Sequence, residues 1–227
     1  MSKTLLRMTS LSKKVFVSLA GLFLITFLLL HLSINLFILP ITPNHEETFR
    51  QAVHFMTTSP LIKVMEVVLF AAFIIHIFFA VTLQIENWIA RPRGYKVWQK
   101  SRTDSPFSKL AIYTGIFVLI FLIIHFMNFY FVKQGWVSPP EGAYEVADKH
   151  DFYNMALNLF NNPVYCVLYI VLIIVLGFHL HHAFQAGFQS LGLNHPIYTP
   201  IIKILGWIYS ILVPLGFISI PLYFLIS

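Results

Sequence analysis

The 227-residue sequence predicts an all-α integral membrane protein with five transmembrane helices. Three observations carry this expectation. Only 11% of the residues are charged, against 58% hydrophobic and 16% aromatic, which is too little charge to coat a soluble globule of this size. Five stretches are apolar for about 20 residues or more, the length a bilayer demands. The basic residues fall unevenly between the loops, as they do when a chain is threaded through a membrane. A soluble enzyme, a disordered chain and a disulfide-stapled scaffold are excluded on composition, and the single cysteine, Cys166, has no internal partner.

The spans are predicted at Val15–Pro40, Val64–Gln84, Leu110–Val132, Val164–Phe188 and Ile204–Ile226. The first has too long an apolar core, and no small-residue site after it, to be a cleaved signal peptide. The second contains Glu66, the only acid or base inside any of the five. The fifth carries Pro214 and Pro221, which predict kinks. Between the spans, Asn44–Met56 and Tyr144–Phe160 mix charges with apolar residues at near-helical spacing. They read as short helices lying on one membrane surface. The whole chain, residues 1–227, forms one domain.

Lys3, Arg7, Lys13 and Lys14 precede the first span. Arg91, Arg93, Lys96, Lys100, Arg102 and Lys109 fill the loop between spans two and three, and Lys203 precedes span five. The opposite side has only Arg50, Lys63, Lys133 and Lys149, and it collects six acids. By the positive-inside rule the N-terminus is expected in the cytoplasm and the C-terminus outside. The net charge of +6 is then a matter of topology, and no nucleic-acid partner is expected.

Ten histidines are many for such a chain, and an imidazole in hydrocarbon is costly without a partner. His31 and His125 each lie 16 residues beyond a cytoplasmic boundary placed at Val15 and Lys109, about 24 Å deep. His76 and His179 each lie ten residues before a cytoplasmic boundary placed at Glu86 and Gln189, about 15 Å deep. Two levels result, each with one histidine from each of two helices. A haem iron takes two neutral imidazole nitrogens, and facing helices of a bundle supply them. Four of the five helices are therefore expected to form a haem-binding bundle holding two haems b. Zinc or copper fits less well, because most of these histidines have no short-spaced companion; the His179–His181–His182 cluster is the exception.

At these residues the chain resembles the di-haem cytochrome b anchor of succinate dehydrogenase and fumarate reductase, of the single-subunit, five-helix bacterial type. The resemblance runs along nearly the whole chain. It includes Leu30-His31-Leu32-Ser33-Ile34-Asn35, Ala52-Val53-His54-Phe55-Met56, Pro60 followed by Glu66, His76, His125, and Phe178-His179-Leu180 with Gly192 beyond. It implies His31 and His125 as ligands of an outer haem iron, and His76 and His179 as ligands of an inner one. It implies electron transfer between membrane quinone, with menaquinone expected, and an iron–sulfur subunit and a flavoprotein subunit on the cytoplasmic face of a bacterial inner membrane. The chain itself would carry no catalytic residue for succinate or fumarate. Two positions depart from the family pattern: Ala183 stands where a glycine is usual, which makes His182 a rival to His179, and Gly177 stands where some members carry a glutamate proposed for proton transfer.

His54, Glu66 and Asn35 are candidates for a quinone site. The competing readings are an ion pair of Glu66 with Lys63 or a loop residue, a loop-holding role for His54 and a helix cap for Asn35. Ser18 is a candidate propionate donor, and Gly21 and Gly115 are candidates for making room beside a porphyrin, although close helix packing is the commoner use of small residues. Trp98, Trp136 and Tyr130 read as interfacial belt residues. A haem-free transporter or metal permease, and a haem b subunit of another membrane oxidoreductase, are the alternatives.

Overall fold

The computed structural model describes residues 8–90 and 110–227. Most of the bases that set the predicted topology, Lys3, Arg7, Arg91, Arg93, Lys96, Lys100, Arg102 and Lys109, lie outside the described residues, as does Trp98. The described chain is helical, with no strand. In order the elements are α1 (Ser10–Asn35), α2 (His45–Thr58), α3 (Pro60–Ala90), α4 (Ala111–His125), α5 (Phe131–Lys133), α6 (Phe152–Phe160), α7 (Pro163–Ser190) and α8 (Tyr198–Ile226). A 3-10 turn, Leu36–Ile38, extends α1, and a π-helical turn, Phe126–Tyr130, joins α4 to α5 in one rod. Five rods are thus long and apolar enough to cross a membrane: Ser10–Ile38, Pro60–Ala90, Ala111–Lys133, Pro163–Ser190 and Tyr198–Ile226.

Most of the rods outrun the predicted spans at one or both ends. Charged residues at the ends, such as Lys13, Lys63 and Glu86, stay helical because their stems run along apolar surface while the heads reach a partner or water. Local signals set several ends. Thr9 caps α1 by accepting from the Ser12 N–H at 3.2 Å, Asp151 caps α6, and Asn162 caps α7 ahead of Pro163. Gly135 and Gly192 end their rods with φ of +75° and +77°, a left-handed conformation that glycine adopts without strain.

α7 is the central rod, with the most enclosed surface of the five. It packs along α8, α4 and α1, while α1 packs along α3. α3 does not pack along α4, nor do the two diagonals, α1 with α4 and α3 with α7, pack along each other. Ile204, Trp207 and Ile211 of α8, like many apolar residues of α3, are exposed and suit a lipid environment. α8 runs on through Pro214 and Pro221, both buried.

One end of the bundle is closed by α2 and α6 over an apolar cluster that includes Ile38, Phe49, Tyr153, Leu159, Phe160 and Tyr169. The stretch expected to be one surface helix, Tyr144–Phe160, divides. Residues 144–151 are irregular, and only Phe152–Phe160 is helical. α6 does not lie on the surface: Met155, Ala156 and Leu159 are almost fully buried. Two features account for this. Asp151 starts the helix, and the Asn158 side chain, buried beneath the irregular stretch, bonds the Tyr144 N–H and the Pro140 and Tyr144 carbonyls. Arg50 of α2 clasps Asp151 at 2.6 Å. Burial alone would lower the Arg50 pKa, but the hydrogen bonds to Asp151 and Glu46 outweigh it and raise it.

Candidate functional site

The bundle interior brings the four predicted histidines together two by two. His31 of α1 and His125 of α4 face each other with ring centres 5.7 Å apart and ring planes at 83°. His76 of α3 and His179 of α7 do the same at 6.5 Å and 79°. Each couple spans a diagonal of the bundle, between helices that do not pack along each other. Two imidazoles on opposite sides of one metal, each about 2 Å from it by nitrogen, place their ring centres about 6 Å apart. Both separations fit that requirement.

The levels are set by register. Gly21 of α1 lies against His76: a Cβ built there would be 3.2 Å from its Cε1 and Nδ1. Gly115 of α4 lies against His179 in the same way, at 3.6 Å from Cε1. Gly21 and His31 are ten residues apart, as are Gly115 and His125. Both helices therefore separate the two couples by about 15 Å. The loop-based depths imply about 9 Å. They differ because the ends used as reference are not level: Glu86 pairs with Lys13, before the assumed start of the first span.

The ring nitrogens have distinct surroundings. The Nδ1–H of His76 donates to the Val17 carbonyl at 3.0 Å. His179 Nδ1 lies 3.4 Å from Thr114 Oγ1, whose own proton is directed to the Leu110 and Ala111 carbonyls. The Asn35 amide donates to the His31 carbonyl at 2.7 Å and lies 3.3 Å from its Nδ1. His125 Nδ1 is enclosed without a partner. Among the described residues no hydrogen bond engages Nε2 of any of the four.

The cluster on α7 divides by direction. His179 faces His76, whereas His181 turns to α8, with its ring 5.0 Å from Trp207. His182 sits 5.3 Å from His179, its ring nitrogens enclosed and without a hydrogen bond of ordinary geometry, although the Phe178 carbonyl approaches it. His182 makes no ring contact with His76 comparable to that of His179. Among the described residues no three His, Cys, Asp or Glu side chains gather into a group that could hold a metal ion.

Glu66 is paired, but not with Lys63. Its Oε2 meets Lys133 Nζ of α5 at 2.9 Å, and the Lys133 ammonium also lies over the Tyr130 ring. This pair borders an open-sided cavity of about 550 Å³ lined by Lys63, Glu66, Phe70, Ile74 and Tyr130. Phe70 touches Tyr130 and Phe126, which follows His125, so the cavity wall adjoins the first histidine couple. His54 is exposed on α2 and does not line the cavity. Asn35 does not line it either, nor does its side chain cap the helix; it turns back onto His31. Ser18 is buried on α1 beside Val17.

Sequence reasoning missed the π-turn and with it the role of Tyr130, which packs on Phe70 rather than serving only as a belt residue. No local pattern in the sequence marks the π-turn, a feature that gathers at functional sites. Comparison with protein-family models, curated proteins and solved structures finds no match for this chain.

Proposed function

We propose that this chain is the cytochrome b membrane anchor of a succinate:quinone oxidoreductase. It would pass electrons between an iron–sulfur subunit and membrane quinone by way of two haems b. The observation that carries the reading is the pair of histidine couples, set on the two diagonals of one bundle and ten residues apart on both α1 and α4. A lone buried histidine is satisfied by any neighbouring helix; two couples at matching separations meet a more demanding condition.

Haem b supplies reversible one-electron chemistry at its iron. The rest belongs to the chain. His31 and His125 would hold one iron, and His76 and His179 the other. The apolar faces of α1, α3, α4 and α7 exclude water, which keeps the site's dielectric low. Glu66, beside the cavity and paired with Lys133, is the group suited to hold or release a proton at Oε2 for a quinone, and menaquinone is the expected one. In this reading the end closed by α2 and α6 faces outward. The opposite end, carrying Ser10 and Ala90, would face the cytoplasm of a bacterial inner membrane, where the iron–sulfur and flavoprotein subunits would dock.

The test is a haem count. The chain purified from membranes should give a reduced-minus-oxidised spectrum of haem b at two per chain, together with a flavoprotein and an iron–sulfur subunit. A preparation without haem overturns the proposal; haem with other partners assigns the chain to a different membrane oxidoreductase.

A further inference from the structure

We infer that Thr114 and the Val17 carbonyl, each exposed by a neighbouring glycine, are positioning groups that fix the orientation and the proton of the His179 and His76 imidazoles. This rests on the two-haem reading above.

A helical carbonyl has two lone pairs, and the N–H four residues on uses one. For Val17 that N–H belongs to Gly21. With no side chain at Gly21, α3 comes close enough for His76 to reach the second lone pair, at 3.0 Å. A carbonyl only accepts, so Nδ1 carries the proton and Nε2 keeps its lone pair.

α4 repeats the device with a side chain. Thr114 Oγ1 lies 3.2 and 3.1 Å from the Leu110 and Ala111 carbonyls, which take its proton. Its oxygen is left to accept from His179 Nδ1 at 3.4 Å. Gly115, the next residue, gives the ring its room. Two ligands from different helices thus rest on the same combination, an acceptor and a glycine on the adjacent rod. The other couple has neither: His31 Nδ1 faces the Asn35 amide nitrogen, and His125 Nδ1 is enclosed and unpartnered. The feature belongs to one level, so it is not a general consequence of packing histidines in a bundle.

An acceptor on the distal N–H fixes the ring plane and raises the basicity of the ligating nitrogen, which favours the oxidised metal. Removing the acceptor should raise the midpoint potential at that level alone. The experiment uses the full chain in its native complex and compares Thr114→Val and Thr114→Ser by redox titration and by EPR of the oxidised state. Thr114→Val should retain two haems per chain, shift one midpoint upward with its EPR signal, and leave the other midpoint unchanged. Thr114→Ser, which keeps the hydroxyl, should restore both. If Thr114→Val does not accumulate, Thr114→Ala removes the same acceptor with less bulk. A titration and EPR spectrum like those of the unaltered chain, or a shift that Thr114→Ser shares in full, overturns this inference and leaves the haem reading standing. Absence of haem from the unaltered chain overturns the haem reading itself.

Discussion

Gly21 and His76 are in contact across the α1–α3 interface, so close that a methyl group on Gly21 would meet the imidazole at 3.2 Å. The equivalent contact of Gly115 with His179 is looser, at 3.6 Å. Gly21→Ala should therefore displace His76 and weaken its bond to the Val17 carbonyl, whereas Gly115→Ala should be tolerated at ordinary van der Waals distance. The expected outcome is a changed spectrum or partial haem loss in the first variant alone, read by haem content per chain. Equal effects would show that the glycines act as general helix-packing residues.

The diagonal couples predict which losses go together. His31→Ala and His125→Ala should remove the same haem and leave the other; His76→Ala and His179→Ala should share the second or block assembly. His182→Ala should keep both, because His179 is the residue turned to His76. Haem stoichiometry with redox titration decides. If His31→Ala and His76→Ala lose the same component, the couples are wrongly drawn.

Glu66 separates a proton-handling role from a structural one. Its ion pair with Lys133 is partly open to the surroundings, so losing it should cost less than about 1 kcal/mol of stability. A proton-transfer role is worth far more, about 100-fold in rate. Glu66→Gln should leave both haems in place and lower quinone turnover by about that factor. A small loss of thermal stability with turnover intact would return Glu66 to the status of an interfacial ion-pair partner.

At the other end, Lys13 is almost wholly buried and bonds Glu86, which remains more than a third exposed. Glu86→Gln would leave an ammonium enclosed without its counter-charge, at a cost of about 3 kcal/mol. Lys13→Met keeps the apolar stem and leaves Glu86 to water, and should cost less than about 1 kcal/mol. Thermal unfolding in detergent compares the two; a reversed order would mean that Glu86 is not the group compensating Lys13.

The sequence carried the helices and the pairing of the histidines, though not the spacing between their two levels, because helices and pairing depend on local regularities. Hydropathy over about 20 residues marks a rod, and 1.5 Å per residue converts position into depth. What it did not carry depends on contacts between distant segments. Glu66 found Lys133 rather than Lys63 because α5 ends beside the start of α3. Lys13, counted among the loop bases, became a buried partner of Glu86. α6 sank into the bundle end because Asp151 and Asn158 gather a loop whose course no periodicity records. Gly177, where the family resemblance suggested a proton-carrying glutamate in other members, faces the Ser210 carbonyl and Pro214 so closely that a Cβ would lie 3.2 Å from each; it is the closeness of α8 that demands glycine there.

α3 has one transmembrane neighbour packed along its length, α1; among the described residues its links to the other rods are side chains, Glu66, Phe70 and Phe73 toward the Phe126–Lys133 segment and His76 toward His179. A rod supported on a single edge is free to tilt within the bilayer unless something inside ties it to the opposite wall. Loading and bundle closure would then be one event during biogenesis. The unloaded chain would expose the amides of Pro60–Ala90 to hydrogen exchange well before those of α7, and it is this rod that a membrane protease would find first.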